Sequence, residues 1–352
     1  MHKRIFWRSL RLLLVVALCL GALATAGAVG RNEVPVRPEA MPVADVPSEE
    51  TSPAPTQEEI RAAEEEAKAA SARQRRASGL LARRGGLTGQ QREVLCTRMG
   101  ADEVLLQRLE RGELTRTELT WLGIPNARAD RLDRYDAWAA EYPEDSPETT
   151  VLQVNLDMDQ DFYSLIWETA DPASLEVLVN KHYALPAGYV PELEALGKGY
   201  GSGSLRPEAA QAFRAMADGA RADGVSLRSV SAYRSYKQQN STYHRYLKQY
   251  KQTTVDTFSA RPGHSEHQTG LSLDINVAST RAHFENTAAF AWLKEHCAEY
   301  GFILRYDKGK EAITGYRFEP WHYRYVGQEI AKTCMDQGIS YEEYLSLRPT
   351  VN

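Results

Sequence analysis

His267, Asp274 and His322 combine two imidazoles with one carboxylate in the C-terminal half of a 352-residue sequence. With a fourth position left open, that donor set is the recipe for a catalytic zinc ion. Glu319 stands three residues before His322. A carboxylate close to such an ion but not bound to it is what metal-assisted hydrolysis needs as a general base. His264 opens an H-x-x-H pair with His267 and is a rival ligand.

Short strands must position these groups. Leu271, Leu273, Ile275 and Val277 alternate with Ser272, Asp274 and Asn276, the pattern of a half-buried strand with Asp274 on its polar face. An isolated carboxylate there needs a partner. Trp321, Tyr323 and Tyr325 alternate with His322 and Arg324 and predict a second strand. On an ideal strand Glu319 and His322 point to opposite faces, so Pro320 is expected to bend the chain between them. Val225 to Tyr233 reads as a strand leading into Arg234. Pro207 opens a helix with Ala210, Phe213, Met216 and Ala217 at helical spacing, and Trp292 to Tyr300 reads as another. Without a repeating βαβ period, the expected class is α+β, a small mostly antiparallel sheet flanked by helices and holding one zinc site.

The surrounding words sharpen this. Ser265-Glu266-His267-Gln268-Thr269-Gly270-Leu271-Ser272-Leu273-Asp274 resembles the S-x-H-x-x-G-x-A-x-D signature of the zinc D-alanyl-D-alanine carboxypeptidase and dipeptidase family, the VanY-like and VanX-like enzymes. Glu319-Pro320-Trp321-His322 is similar to that family's E-x-x-H element, and Ser231 to Tyr236 with Gln239 to its Y-R-S-x-x-x-Q element. The resemblance runs over about residues 150–345 and departs from the signature at Ser272, where alanine is preferred. It implies that His267, Asp274 and His322 bind Zn2+ and that Glu319 is the catalytic base. It implies that Arg234 stabilises the oxyanion or the substrate carboxylate, and that Gln239 and Ser265 hydrogen-bond the substrate. His264 is then expected near the site but off the metal. The implied partner is a peptidoglycan stem peptide losing its terminal D-alanine. D,D-carboxypeptidase action is the leading expectation; the alternatives are an L,D-carboxypeptidase or endopeptidase on the same zinc site, or a non-catalytic wall-binding protein. Serine D,D-peptidases use S-x-x-K and many zinc proteases use H-E-x-x-H; the sequence contains neither.

The rest of the chain sets the context. Lys3, Arg4, Arg8 and Arg11 precede a run without charge from Leu12 to Val29, so residues 1–30 read as a signal peptide or a membrane anchor. Both readings put the remainder outside the cytoplasm, with membrane contact through this segment if it is uncleaved. Six prolines in residues 31–57 mark a flexible spacer. Residues 58–148 read as a helical region of unknown role, and Arg73, Arg75, Arg76, Arg83 and Arg84 read as a solvated face. Residues 149–352 are expected to form the zinc carboxypeptidase domain. With 42 basic and 47 acidic residues the net charge is −5, so nothing global points to nucleic acid. Cys297 and Cys334 are read either as a pair or as two separate thiols.

Overall fold

The computed structural model describes residues 56–276 and 283–349. Residues 1–55, which hold the segment read as a signal peptide or anchor and nearly all of the proline-rich stretch, and Val277 lie outside the described residues. Two compact units are present, one ending at Gly123 and one running from Ile124 to Thr350.

The first unit contains α1 (Gln57–Leu81), α2 (Gly89–Ala101), α3 (Glu103–Glu110) and α4 (Arg116–Leu122). Thr56, Thr88 and Thr115 each close a capping box with the residue three positions on, which satisfies backbone donors that a helix start leaves open. Leu105, Leu106 and Leu109 bury one face of α3, whereas Val104 is 68% exposed because it starts the turn on the opposite side. Arg73 pairs with Glu66, and Arg76 with Glu110. Among the described residues no helix is long and apolar enough to cross a membrane.

The second unit begins before the expected start at residue 149. It adds α5 (Leu132–Glu141) and α6 (Pro147–Asn155), which pack on each other. The turn from Tyr142 to Pro147, just before that expected start, joins two helices of one unit. Side-chain bonds fix this arrangement: Tyr135 Oη donates to Asn155 Oδ1 at 2.8 Å, and Asn126 Nδ2 donates to Ser346 O at 2.8 Å.

At its centre is a four-stranded antiparallel sheet of β1 (Arg228–Ser231), β2 (Ser272–Asn276), β3 (Phe302–Leu304) and β4 (His322–Tyr325), in the order β1-β2-β4-β3. One face carries Leu271, Leu273, Ile275, Phe302, Leu304 and Tyr323 into the main core. There they meet α7 (Pro207–Ala222), whose Ala209, Ala210, Phe213, Met216, Ala217 and Ala220 are all buried, and α9 (Ala288–His296). Between these, α8 (Tyr236–Leu247) starts at Ser235, whose side chain caps it. The other face meets α10 (Gln328–Gln337) and α11 (Tyr341–Leu347) through a smaller cluster around Ile303.

Two sequence expectations change here. β2 is not half-exposed: all five of its residues are buried, because charged side chains from neighbouring segments cover its polar face. Cys297 and Cys334 are free thiols in different cores, so of the two readings the unpaired one holds.

Candidate active site

Sheet register builds the site. Asp274 on β2 stands opposite His322 on β4 and opposite Ser231 on β1, so three adjacent strands point these side chains to one face. A β-bulge between Ser229 and Ser231 ends β1 there. The strand then turns into Arg234, whose backbone N–H donates to His267 O at 3.1 Å.

His267 comes from the tight turn Glu266–Thr269 that precedes β2. Gly270 closes that turn with φ of +70°, a conformation that side chains disfavour. A Cβ at Gly270 would also press on Arg206 and Pro191 at 3.1 Å. The glycine of the motif is therefore a hinge that delivers the histidine and the strand together.

Ligand-capable atoms of His267, Asp274 and His322 all lie within 4.8 Å of one another, and all three residues are buried. Each imidazole has one nitrogen committed elsewhere. His267 Nδ1 lies 2.7 Å from Ala232 O, so it carries the proton and Nε2 faces Asp274 Oδ1 at 3.5 Å. His322 is the reverse: Nδ1 lies 3.3 Å from the same Asp274 Oδ1, and Nε2 lies 3.4 Å from Glu266 Oε2. Two lone pairs and a carboxylate oxygen thus converge on one point, the donor set that suits zinc.

The electrostatics agree with a site built for a cation. Burial and then the Arg234 charge push His267 down to about 4. Burial would lower His322 too, but its hydrogen bonds to Asp274 and Glu266 outweigh that and raise it to about 9.

Glu319 lies just before β4, not on it. His322 N donates to Glu319 O at 3.1 Å, closing a turn around Pro320, and Glu319 N donates to Tyr306 O at 3.0 Å. The expected bend is therefore present, and it places Glu319 in the same cavity as the three ligands. That cavity is about 500 Å³, within the range of ligand sites.

Arg234 and Ser265 line it as well. Arg234 is fixed from two sides: Nη1 donates to Gln239 Oε1 at 2.7 Å and Nη2 to Ser231 Oγ at 3.0 Å. Gln239 is held by its neighbours. It is 1% exposed, and its amide is committed to Arg234, to Ala260 O at 2.6 Å and to Ser259 Oγ at 3.5 Å. It lines the cavity and orients Arg234 there. His264 is apart from the ligand cluster, with Nδ1 2.7 Å from Asn180 O and its ring edge-on to Tyr163.

Glu266 is the residue that motif reasoning passed over. It is 1% exposed and receives Arg305 Nε at 2.8 Å and Arg324 Nη1 at 3.2 Å, while Arg305 also pairs with Glu342 at 2.6 Å. The two guanidinium charges outweigh the cost of burial and hold the Glu266 carboxyl well below the usual range. Ser272 Oγ donates to Glu266 Oε2 at 3.2 Å, which gives the departure from the signature a partner. Glu266 sets the His322 tautomer, so Glu266→Gln should weaken zinc binding about 10- to 100-fold in a competition with a chromophoric chelator. The same change leaves Arg305 and Arg324 short of a counter-charge and should cost about 3–5 kcal/mol in unfolding free energy. Unchanged zinc affinity in a folded variant would remove Glu266 from the metal site.

Two buried imidazoles and a carboxylate around one point, with a second carboxylate in the same cavity, define a mononuclear zinc hydrolase centre on an antiparallel sheet. The family model for D-alanyl-D-alanine carboxypeptidase, VanY, matches residues 202–328. The putative carboxypeptidase YodJ of Bacillus subtilis (strain 168) is 39% identical over 189 residues, 49% of this chain and 68% of that protein. The solved LdcB LD-carboxypeptidase is 36% identical, with a TM-score of 0.50 over 53% of this chain and 94% of that chain. A vancomycin-resistance D,D-pentapeptidase VanY variant in complex with Zn(II) is 36% identical over 50% of this chain and 99% of that one, with a TM-score of 0.43. The chain belongs to the VanY family of D-alanyl-D-alanine carboxypeptidases, which are zinc metallopeptidases.

Proposed function

We propose that the protein is an exported zinc D,D-carboxypeptidase that removes the terminal D-alanine from peptidoglycan stem peptides. The observation that carries this reading is the convergence of His267, Asp274 and His322 in one cavity with Glu319. Zinc held there supplies a Lewis acid and lowers the pKa of a coordinated water toward about 7.

The chain's own residues do the rest. Glu319 takes a proton from the attacking water and delivers it to the amine of the departing D-alanine, so the proton lost by water is the one gained as the C–N bond breaks. Arg234, held rigid by Gln239 and Ser231, presents its charge to the oxygen that becomes negative during attack. Ser265 offers a hydroxyl to the peptide from the turn that carries His267. Glu266 keeps His322 Nδ1 directed inward.

The basic residues before the uncharged run at 12–29 support export, either as a cleaved signal or as an anchor, and an exported enzyme meets its substrate in the wall. The helices of the first unit have no assigned role in the chemistry.

The test is D-alanine release, followed by mass spectrometry, from a pentapeptide stem ending in D-Ala-D-Ala and from the tetrapeptide lacking the last residue. Release from the pentapeptide alone is expected. Release from the tetrapeptide alone would reassign the enzyme as an L,D-carboxypeptidase, and cutting of neither would overturn the carboxypeptidase reading.

A further inference from the structure

The cavity has two zones of different character. Its floor holds the ligand cluster, Glu319 and the hydrogen-bonded Arg234. Its outer wall carries two arginines, Arg245 on α8 and Arg317 on the segment before Glu319, both exposed. Each leans on an aromatic ring: Arg245 lies 5.4 Å from the centre of Tyr246, and Arg317 lies 4.4 Å from the centre of Phe258. Tyr246 packs edge-on against Phe258 at 5.1 Å, so the two arginines are seated on one aromatic pair.

Neither arginine is in an ion pair among the described residues, unlike Arg261 nearby, which is bound to Asp256 at 2.9 Å. The acids among the described residues lining this cavity are Glu266, Asp274 and Glu319, all buried on the floor. Glu266 is neutralised by Arg305 and Arg324, and Asp274 belongs to the metal cluster. The outer wall is left with two positive charges and no acid of its own.

An enzyme that removes one C-terminal residue encloses that residue on the floor and leads the acyl part of the peptide out along the outer wall. Building on the proposed function, we infer that Arg245 and Arg317 form a rim that binds a carboxylate on the acyl segment of the stem peptide. The rim therefore selects stems whose diamino acid carries an extra carboxylate, as meso-diaminopimelate does, over stems with L-lysine, which present only an ammonium. The lysine ammonium meets two like charges; the diamino diacid brings a counter-charge that guanidinium groups bind in paired hydrogen bonds. The acidic second residue of the stem carries the same chemistry but is common to both kinds of stem, so a rim that bound it would not select between them; amidation separates the two sources.

The experiment measures kcat and KM for four pentapeptides with identical D-Ala-D-Ala ends. The third residue is meso-diaminopimelate, its amidated form or L-lysine; the fourth peptide has diaminopimelate and an amidated second residue. About three- to tenfold lower KM for the diacid peptide is expected, lost on amidation of the diaminopimelate, kept on amidation of the second residue, and shrinking with added salt. Arg245→Gln/Arg317→Gln should narrow that difference, while Arg221→Gln, on the surface of α7, should not. Equal KM values for the diaminopimelate and lysine peptides, or a preference untouched by the double substitution, overturn the rim. Release of D-alanine from none of them overturns the carboxypeptidase reading and the rim with it.

Discussion

Glu319→Gln lowers kcat for D-alanine release by about 10²- to 10⁴-fold, the range general acid–base catalysis contributes, and leaves zinc bound. The substitution keeps the size and the local hydrogen-bond geometry. The turn that positions residue 319 is made by backbone bonds to Tyr306 O and from His322 N, which glutamine preserves. The lost function is the proton carrier alone. KM should change far less than kcat, because the group acts between water and the departing amine and not in holding the peptide. The check is steady-state kinetics beside metal analysis of the same preparation. A variant that keeps wild-type kcat shows that another group moves the proton.

Asp274→Ala should act one step earlier, on the metal. Asp274 Oδ1 is the atom both histidines face, at 3.5 Å from His267 Nε2 and 3.3 Å from His322 Nδ1. Its removal takes away the only anionic member of the cluster and leaves His322 held on one side by Glu266. Zinc affinity should fall by more than the about 10- to 100-fold that loss of an outer partner costs, and activity should fall with it. Metal content after gel filtration and chelator competition read this directly. Full retention of zinc by Asp274→Ala would take Asp274 out of the ligand set.

Much of this site is legible in the sequence because its chemistry is confined to short words. His267 and Asp274 are joined by one turn and one strand, and Glu319 and His322 by one turn, so their spacing survives in the linear order. Pro320 announces the bend that lets Glu319 and His322 serve the same cavity. The expected antiparallel sheet follows from alternation in β2 and β4.

The network behind the ligands is different. Glu266, Arg305, Arg324 and Glu342 are far apart in sequence and meet only when β3, β4 and α11 close on the turn before β2. Charged residues default to the surface, so no local pattern marks these as buried. The bonding of Gln239 was hidden for a related reason: a motif gives a residue's presence, while the direction of its amide is set by Ser259 and Ala260, which come from another loop. The start of the second unit was also hidden, since Tyr142 to Pro147 has the composition of a linker and acts as a helix connector.

The most direct test of the account is a zinc titration of metal-stripped protein, with D-alanine release from the D-Ala-D-Ala pentapeptide as the readout. The centre described by His267, Asp274 and His322 holds one ion, so activity should rise linearly and level off at about one equivalent, and chelator should reverse it. Release of D-alanine that persists at full rate in the metal-stripped protein would contradict the account.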